Sequence, residues 1–336
     1  MRNPIFDIMK FAAIMAMIVG HCVHDWRQTI VYCWHMPLFF FVGGYFFKPS
    51  SISSTIKYNA KRLLIPYLIC SFIVVLFLGG SYIYSPNFNI IDRITPLLFG
   101  GGQFLGNYFI YPIWFFIALF LCYIIYTIIN NYIPNKLYST IIVIFISTIG
   151  YFLGEYHATE IPFLIPQALI ATIFFHAGYL FNKYDSITPK SHSFIWWLFS
   201  IIFVSWSFSL GAFDMLTNRY SLFPINVLGA LGGTFIVMQL SFYTSTFIPK
   251  FSKKIAFLGS LSILIFSVHF IESSFGISKY ITSKLLFFLE NYKETTIEKI
   301  LFTLIVSLLL YQIPIVRRIF RLSKSPQYTD IKTSKS

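Results

Sequence analysis

The sequence predicts an all-α, polytopic membrane helix bundle of about ten transmembrane helices, with both termini cytoplasmic. Three observations carry that expectation. Of 336 residues, 57% are hydrophobic and 20% aromatic, while only 11% are charged. A soluble domain carries roughly 25% charged residues, so the composition excludes that class. The apolar residues gather in runs long enough to cross about 30 Å of hydrocarbon, which takes roughly 17–25 residues. Lysine and arginine, finally, are concentrated in alternate connections.

In chain order the runs are 5–23, 31–47, 63–84, 108–130, 137–153, 163–182, 193–212, 223–247, 256–275 and 297–316. Backbone groups cannot stay unpaired in lipid, so segments of this length read as helices. The second and fifth are short, and Pro162 and Pro166 mark the connection into the sixth. With the N-terminus inside, the inner segments hold seventeen of the twenty-five cations and the outer loops seven, with Lys10 inside the first span. Cytoplasmic loops are enriched in cations, which sets the orientation. The formal charge of +13 therefore reads as topology rather than as nucleic-acid binding. Asp7 and Lys10 interrupt the first apolar run and no small-residue cleavage site follows it, so it does not read as a signal peptide. Residues 1–320 read as a single integral-membrane domain and 321–336 as a basic, mobile cytoplasmic tail. Cys22, Cys33, Cys70 and Cys122 form no CxxC pair and read as packing residues, with a Cys22–Cys33 disulfide as the alternative.

Ionisable side chains inside a span cost about 2.5–3.5 kcal/mol each on insertion scales, so they point to function. Asp7 and Lys10 share a face one turn apart and can pair. Lys10 and His21 lie eleven residues apart, close to three turns, so they also share a face and are separated by about 16 Å. His35 opens the second span after a short connection, at a depth similar to His21. His269 and Glu272 are three apart on the ninth span, which makes Glu272 a candidate to orient an imidazole. His21, His35 and His269 can therefore converge near the outer surface, with neutral imidazole able to take a proton from a hydroxyl. A metal site drawing on His24 and Asp25 fits no established ligand spacing. His176 reads as packing. Lys61 and Arg62, in a basic inner loop, suit the phosphates of a nucleotide-like ligand. Asn107, Tyr111 and Trp114 at the outer mouth of the fourth span can stack on or hydrogen-bond a sugar, and Gly43-Gly44 permits close backbone approach.

FDIMKFAAIMAMIVGH, HMPLFFFVGGYFF, KRLLIPYL, WFFIALF and SLSILIFSVHF run in order from residue 6 to residue 270. In these blocks the chain resembles the acyltransferase 3 family of integral-membrane O-acyltransferases, especially its fucose O-acetylase-like branch. The resemblance implies transfer of an acetyl group from acetyl-CoA, used as a donor rather than a resident cofactor, to a hydroxyl of a sugar or surface-polysaccharide precursor in a bacterial cytoplasmic membrane. By the same match His21 takes the catalytic role. Family members typically carry an arginine eleven residues before that histidine, and here the position holds Lys10, which keeps the charge and loses the bidentate fork. On that reading Lys10, Asp7, Lys61 and Arg62 hold the CoA end. A transporter or flippase for a lipid-linked sugar or proton-coupled solute is the rival expectation, weakened by the lack of an internal repeat.

Overall fold

The computed structural model describes residues 2–84, 90–101, 112–157, 160–184, 194–211, 213–278, 280 and 296–329. The first helix, α1 (Pro4–Cys22), starts where Asn3 caps it by accepting from the Ile5 amide at 3.0 Å, with Pro4 at the first helical position. A proline there lacks only a donor that would be unpaired anyway. Asp25 caps the short α2 (Trp26–Tyr32) in the same way, through the Arg27 amide. Next come α3 (His35–Tyr45), α4 (Ile52–Asn59), a π-helical turn at Ala60–Leu64, α5 (Ile65–Tyr84), α6 (Ile90–Leu98), α7 (Trp114–Tyr132) and α8 (Lys136–His157). The chain continues through α9 (Ile165–Tyr184) and α10 (Phe194–Ser209) to an antiparallel hairpin of β1 (Phe213–Asp214) and β2 (Arg219–Tyr220). It ends with α11 (Phe223–Phe247), α12 (Pro249–Ser260), α13 (Ser262–Phe275), α14 (Thr296–Gln312) and α15 (Pro314–Ile319).

Among the described residues, six helices are long and apolar enough to cross a membrane, and the α12–α13 pair, bent by 58°, counts as a seventh. The lipid-facing sides are read from exposed apolar residues: Leu68 and Phe72 on α5, Ile141 and Phe145 on α8, Trp196 and Trp206 on α10, Leu301 and Leu309 on α14. Surfaces of this kind are stable against hydrocarbon and not against water.

Three expectations change. The run 31–47 is not one helix: it breaks at Cys33–Trp34 into α2, with no buried residue, and α3, buried from His35 to Gly44. Eleven residues rise only about 16 Å, half the hydrocarbon core. An apolar helix surrounded by protein needs no lipid-spanning length, and α3 is enclosed by α1, α9 and α11. The ninth run is likewise broken, at Leu261. The tail, read as mobile, is tied down as far as Thr329. The Arg2 amide donates to the Gln327 carbonyl at 2.8 Å, the Thr329 amide donates to the Arg2 carbonyl at 3.1 Å, and the Tyr311 phenol donates to the Ser323 and Lys324 carbonyls. Residues 320–329 thus form a strap joining α14 to the N-terminus. The four cysteines are free thiols.

Glycines set the closest helix contacts. A β-carbon on Gly44 would overlap the Phe175 carbonyl oxygen, and one on Gly178 would overlap that of Phe41, so α3 and α9 meet backbone to backbone. Small residues are what membrane helices use to reach this separation. Gly178→Ala is therefore expected to destabilise the detergent-solubilised protein by about 1–3 kcal/mol through overpacking, despite alanine's better helix propensity. The thermal midpoint measures it, and an unchanged or raised midpoint would show that the two backbones do not touch.

Candidate active site

At one end of the bundle, α1, α2, α3, α13 and the β1–β2 hairpin bring titratable groups around a small cavity of about 50 Å³, lined by His21, Tyr32, His35, Trp114 and Asp214 among others. The last turn of α1 supplies His21 and α13 supplies His269. Their rings stack with centroids 5.2 Å apart, and His21 Nδ1 lies 2.9 Å from His269 Nε2. His269 is fully buried, and its Nδ1 has no hydrogen-bond partner. His35 stands 5.2 Å from the Tyr32 ring, which itself lies 6.4 Å from His21. The His35 Nδ1–H donates to the Val31 carbonyl at 2.9 Å. A carbonyl only accepts, so the proton on Nδ1 leaves His35 Nε2 as the free ring nitrogen.

Glu272 makes no direct contact with an imidazole and is linked to His269 through Ser273, whose hydroxyl lies 3.3 Å from His269 Nε2 and 3.4 Å from the carboxylate. It is fully buried, accepts from Ser278 at 2.6 Å and Ser273 at 3.4 Å, and pairs with Lys299 at 3.4 Å, so it ties α13 to α14. The three-residue spacing puts it on the face of His269, but its carboxylate is claimed by the neighbouring cation. The carboxylate at the cavity is Asp214 instead, held by the Leu216 amide and the Thr217 hydroxyl, both at 2.9 Å. Burial pushes its carboxyl above the usual carboxylate range. Trp114 lines the same cavity, while Asn107 and Tyr111 lie outside the described residues. His176 is a satisfied core residue, bonded at 2.8 Å to both Tyr126 and Thr140. Asp25 pairs with Arg27 at 2.7 Å beside an exposed His24, and among the described residues no three potential ligands converge on a metal position.

A second, wider cavity of about 1030 Å³ opens at the end that carries residues 2 and 329. Five cations line it, Arg2, Lys10, Lys48, Arg62 and Arg321, against one carboxylate, Asp7. Lys10 and Asp7 form an ion pair, and Arg2 Nε adds a second cation at 3.3 Å from Asp7. Of the basic pair Lys61 and Arg62, only Arg62 lines the cavity. The π-helical turn Ala60–Leu64 carries both, and it leaves Lys61 exposed while Arg62 donates to the Tyr123 phenol at 3.4 Å. Such turns insert one residue into a helix and often occur at functional sites. The two cavities share one lining residue, Phe266 of α13, flanked by Phe115 and Phe116 at 5.8 and 5.3 Å.

Tyr32, Asp214 and Arg321 escape the sequence reading. For Asp214 a signal exists, since it is one of only twelve acidic residues in the chain. The other two are ordinary residues of a connection and a tail, with nothing in their neighbours to mark them.

A family model described as an acyltransferase domain matches residues 3–313, nearly the whole chain. No curated protein and no solved structure matches it.

Asp7 is 3% exposed and neutralises the charge of Lys10, so Asp7→Ala leaves a half-buried cation without that partner. Removing one member of a buried pair costs about 3–5 kcal/mol. Unfolding in detergent is expected to show a loss of that size for Asp7→Ala and recovery of most of it in Asp7→Ala/Lys10→Met. Wild-type stability in the single variant would mean that Lys10 does not need the carboxylate.

Proposed function

The chain belongs to the acyltransferase-domain family, and from that premise we propose that it transfers an acetyl group from acetyl-CoA to a hydroxyl of a sugar or surface-polysaccharide precursor. The bacterial cytoplasmic membrane is the proposed location, with the termini and the wide cavity on the cytoplasmic side. Family membership displaces the transporter reading, which no observed feature favours.

The carrying observation is the pairing of two unlike cavities across Phe266: a wide one with five cations to one carboxylate, and a small one with a histidine pair. Acetyl-CoA is large and anionic at its nucleotide end, and charge-assisted contacts from Arg62, Lys10 and their neighbours suit its phosphates. The distance along α1 from Lys10 to His21, about 16 Å, is comparable to the pantetheine arm. A thioester threaded past Phe266 would therefore arrive at His21.

Chemistry at that point follows from the tautomer. If His21 Nδ1–H donates to His269 Nε2, the lone pair of His21 Nε2 is free to act as base. It takes the proton of the acceptor hydroxyl as the oxygen attacks the thioester carbonyl. The C–S bond breaks, the imidazolium returns its proton to the departing thiolate, and an acetyl ester and CoA are the products. His21 can alternatively carry the acetyl group briefly itself. His269 is a positioning residue for His21. His35 Nε2, Asp214 and Trp114 are available to hold the acceptor, a carboxyl and an indole being suited to hydroxyl-bearing rings.

Membranes carrying the protein, supplied with labelled acetyl-CoA, test the assignment. His21→Ala is expected to lower transfer by about 10²–10⁴-fold, the usual contribution of a general base, with an unchanged thermal midpoint. Undiminished transfer would remove His21 from the reaction.

A further inference from the structure

The family match ends at residue 313, before α15 and the strap. Yet Phe320, Arg321 and Leu322 line the wide cavity beside Arg2 and Lys10. The tail is held at both ends, by Tyr311 on α14 and by the backbone of Arg2, so these three residues bridge the mouth of the cavity. Arg321 has a φ of 53°, in the left-handed region that residues with a β-carbon seldom adopt. It is the residue that ends α15 in a left-handed cap, with the Arg321 amide donating to the Arg318 carbonyl at 3.3 Å, and this cap fixes the direction in which its side chain leaves the helix. Here the Leu322 amide donates to the Arg317 carbonyl at 2.8 Å, and the Arg321 guanidinium lies over the Tyr58 ring at 5.0 Å. Stacking on an aromatic face orients the planar fork and leaves its N–H donors free. Among the described residues no carboxylate pairs with Arg321, whereas Arg2 and Lys10 both meet Asp7.

We propose that the strap is a built part of the donor site and that Arg321 binds the phosphate groups at the nucleotide end of the donor. The inference rests on the reading that acetyl-CoA occupies the wide cavity. It assigns a binding role to a segment outside the family-matched region, and to a cation that lines the cavity and pairs with no carboxylate among the described residues. Arg2 then serves twice, its backbone anchoring the strap and its side chain contributing charge at the same mouth.

Titration of the full-length protein in detergent with CoA separates the possibilities, because no acceptor is needed. Arg321→Ala is expected to weaken CoA binding about tenfold, the size of a charge-assisted contact, and Arg321→Lys to recover part of the loss. Salt weakens exposed charge contacts, so the salt dependence of CoA affinity should be shallower in Arg321→Ala than in the wild type. Adenosine 3′,5′-bisphosphate, which keeps phosphates and lacks the arm, should lose affinity in parallel. Wild-type affinity and salt dependence in Arg321→Ala would overturn the role of the strap alone. A loss that Arg321→Lys does not recover, accompanied by a lowered thermal midpoint, would mark damage to the fold and overturn it too. A wild-type protein that binds no CoA would overturn the donor assignment, and the strap's role with it.

Discussion

Asp7 is the residue on which most of this architecture depends. An unpaired charge in a low-dielectric interior costs several kcal/mol even after relaxation, and Asp7 lies one turn from Lys10 inside a helix that crosses the bundle. Their ion pair makes it possible to keep a lysine at the floor of a cavity at all. Arg2 closes on the same carboxylate, and its backbone carries the strap. The carbonyl of Asp7 abuts Gly259, where any β-carbon would overlap it, so α12 is also docked at this point. One carboxylate thereby joins α1, the N-terminus, the C-terminal strap and the cationic cavity.

The opposite end of α1 solves a different problem. Two imidazoles in van der Waals contact repel if both are charged, and the 2.9 Å contact between His21 and His269 requires that one donate and the other accept. Burial of His269 fixes the pair in place, so a hydrogen bond rather than a carboxylate sets the orientation of His21. Between the two ends stand Phe266 and its aromatic neighbours. Apolar rings at this position separate a wide, cationic compartment from a small one, a separation that an acyl-transfer site needs if its thioester is not to meet bulk water.

Much of this was legible in the order of the residues. Spacing along α1 predicts that Lys10 and His21 share a face, and the scarcity of ionisable groups in apolar runs singles out His35 and His269. All three histidines do lie around or beside the small cavity. Glu272 and Lys61 mark where such reasoning stops. Periodicity names a face, but not which neighbour that face meets: Lys299 claims Glu272, and a π-helical turn swings Arg62 inward while leaving Lys61 outside. The run 31–47 fails for a related reason. An apolar segment has the same composition whether lipid or protein surrounds it, so hydropathy cannot tell a span from the enclosed, eleven-residue α3.

By itself, the sequence determined the class of the molecule, its apolar helices and the small set of ionisable groups buried among them, because insertion into hydrocarbon filters composition residue by residue. Tertiary structure alone decided which of those groups meet. It made Asp214 the carboxylate of the histidine cavity, turned a basic tail into a strap, and brought Arg321 to the mouth of a cavity whose other cations lie some 260 to 320 residues away in the chain. Contacts between such distant residues depend on how helices pack, and packing is set by shape and backbone approach at glycines such as Gly44, Gly178 and Gly259, which no local pattern encodes.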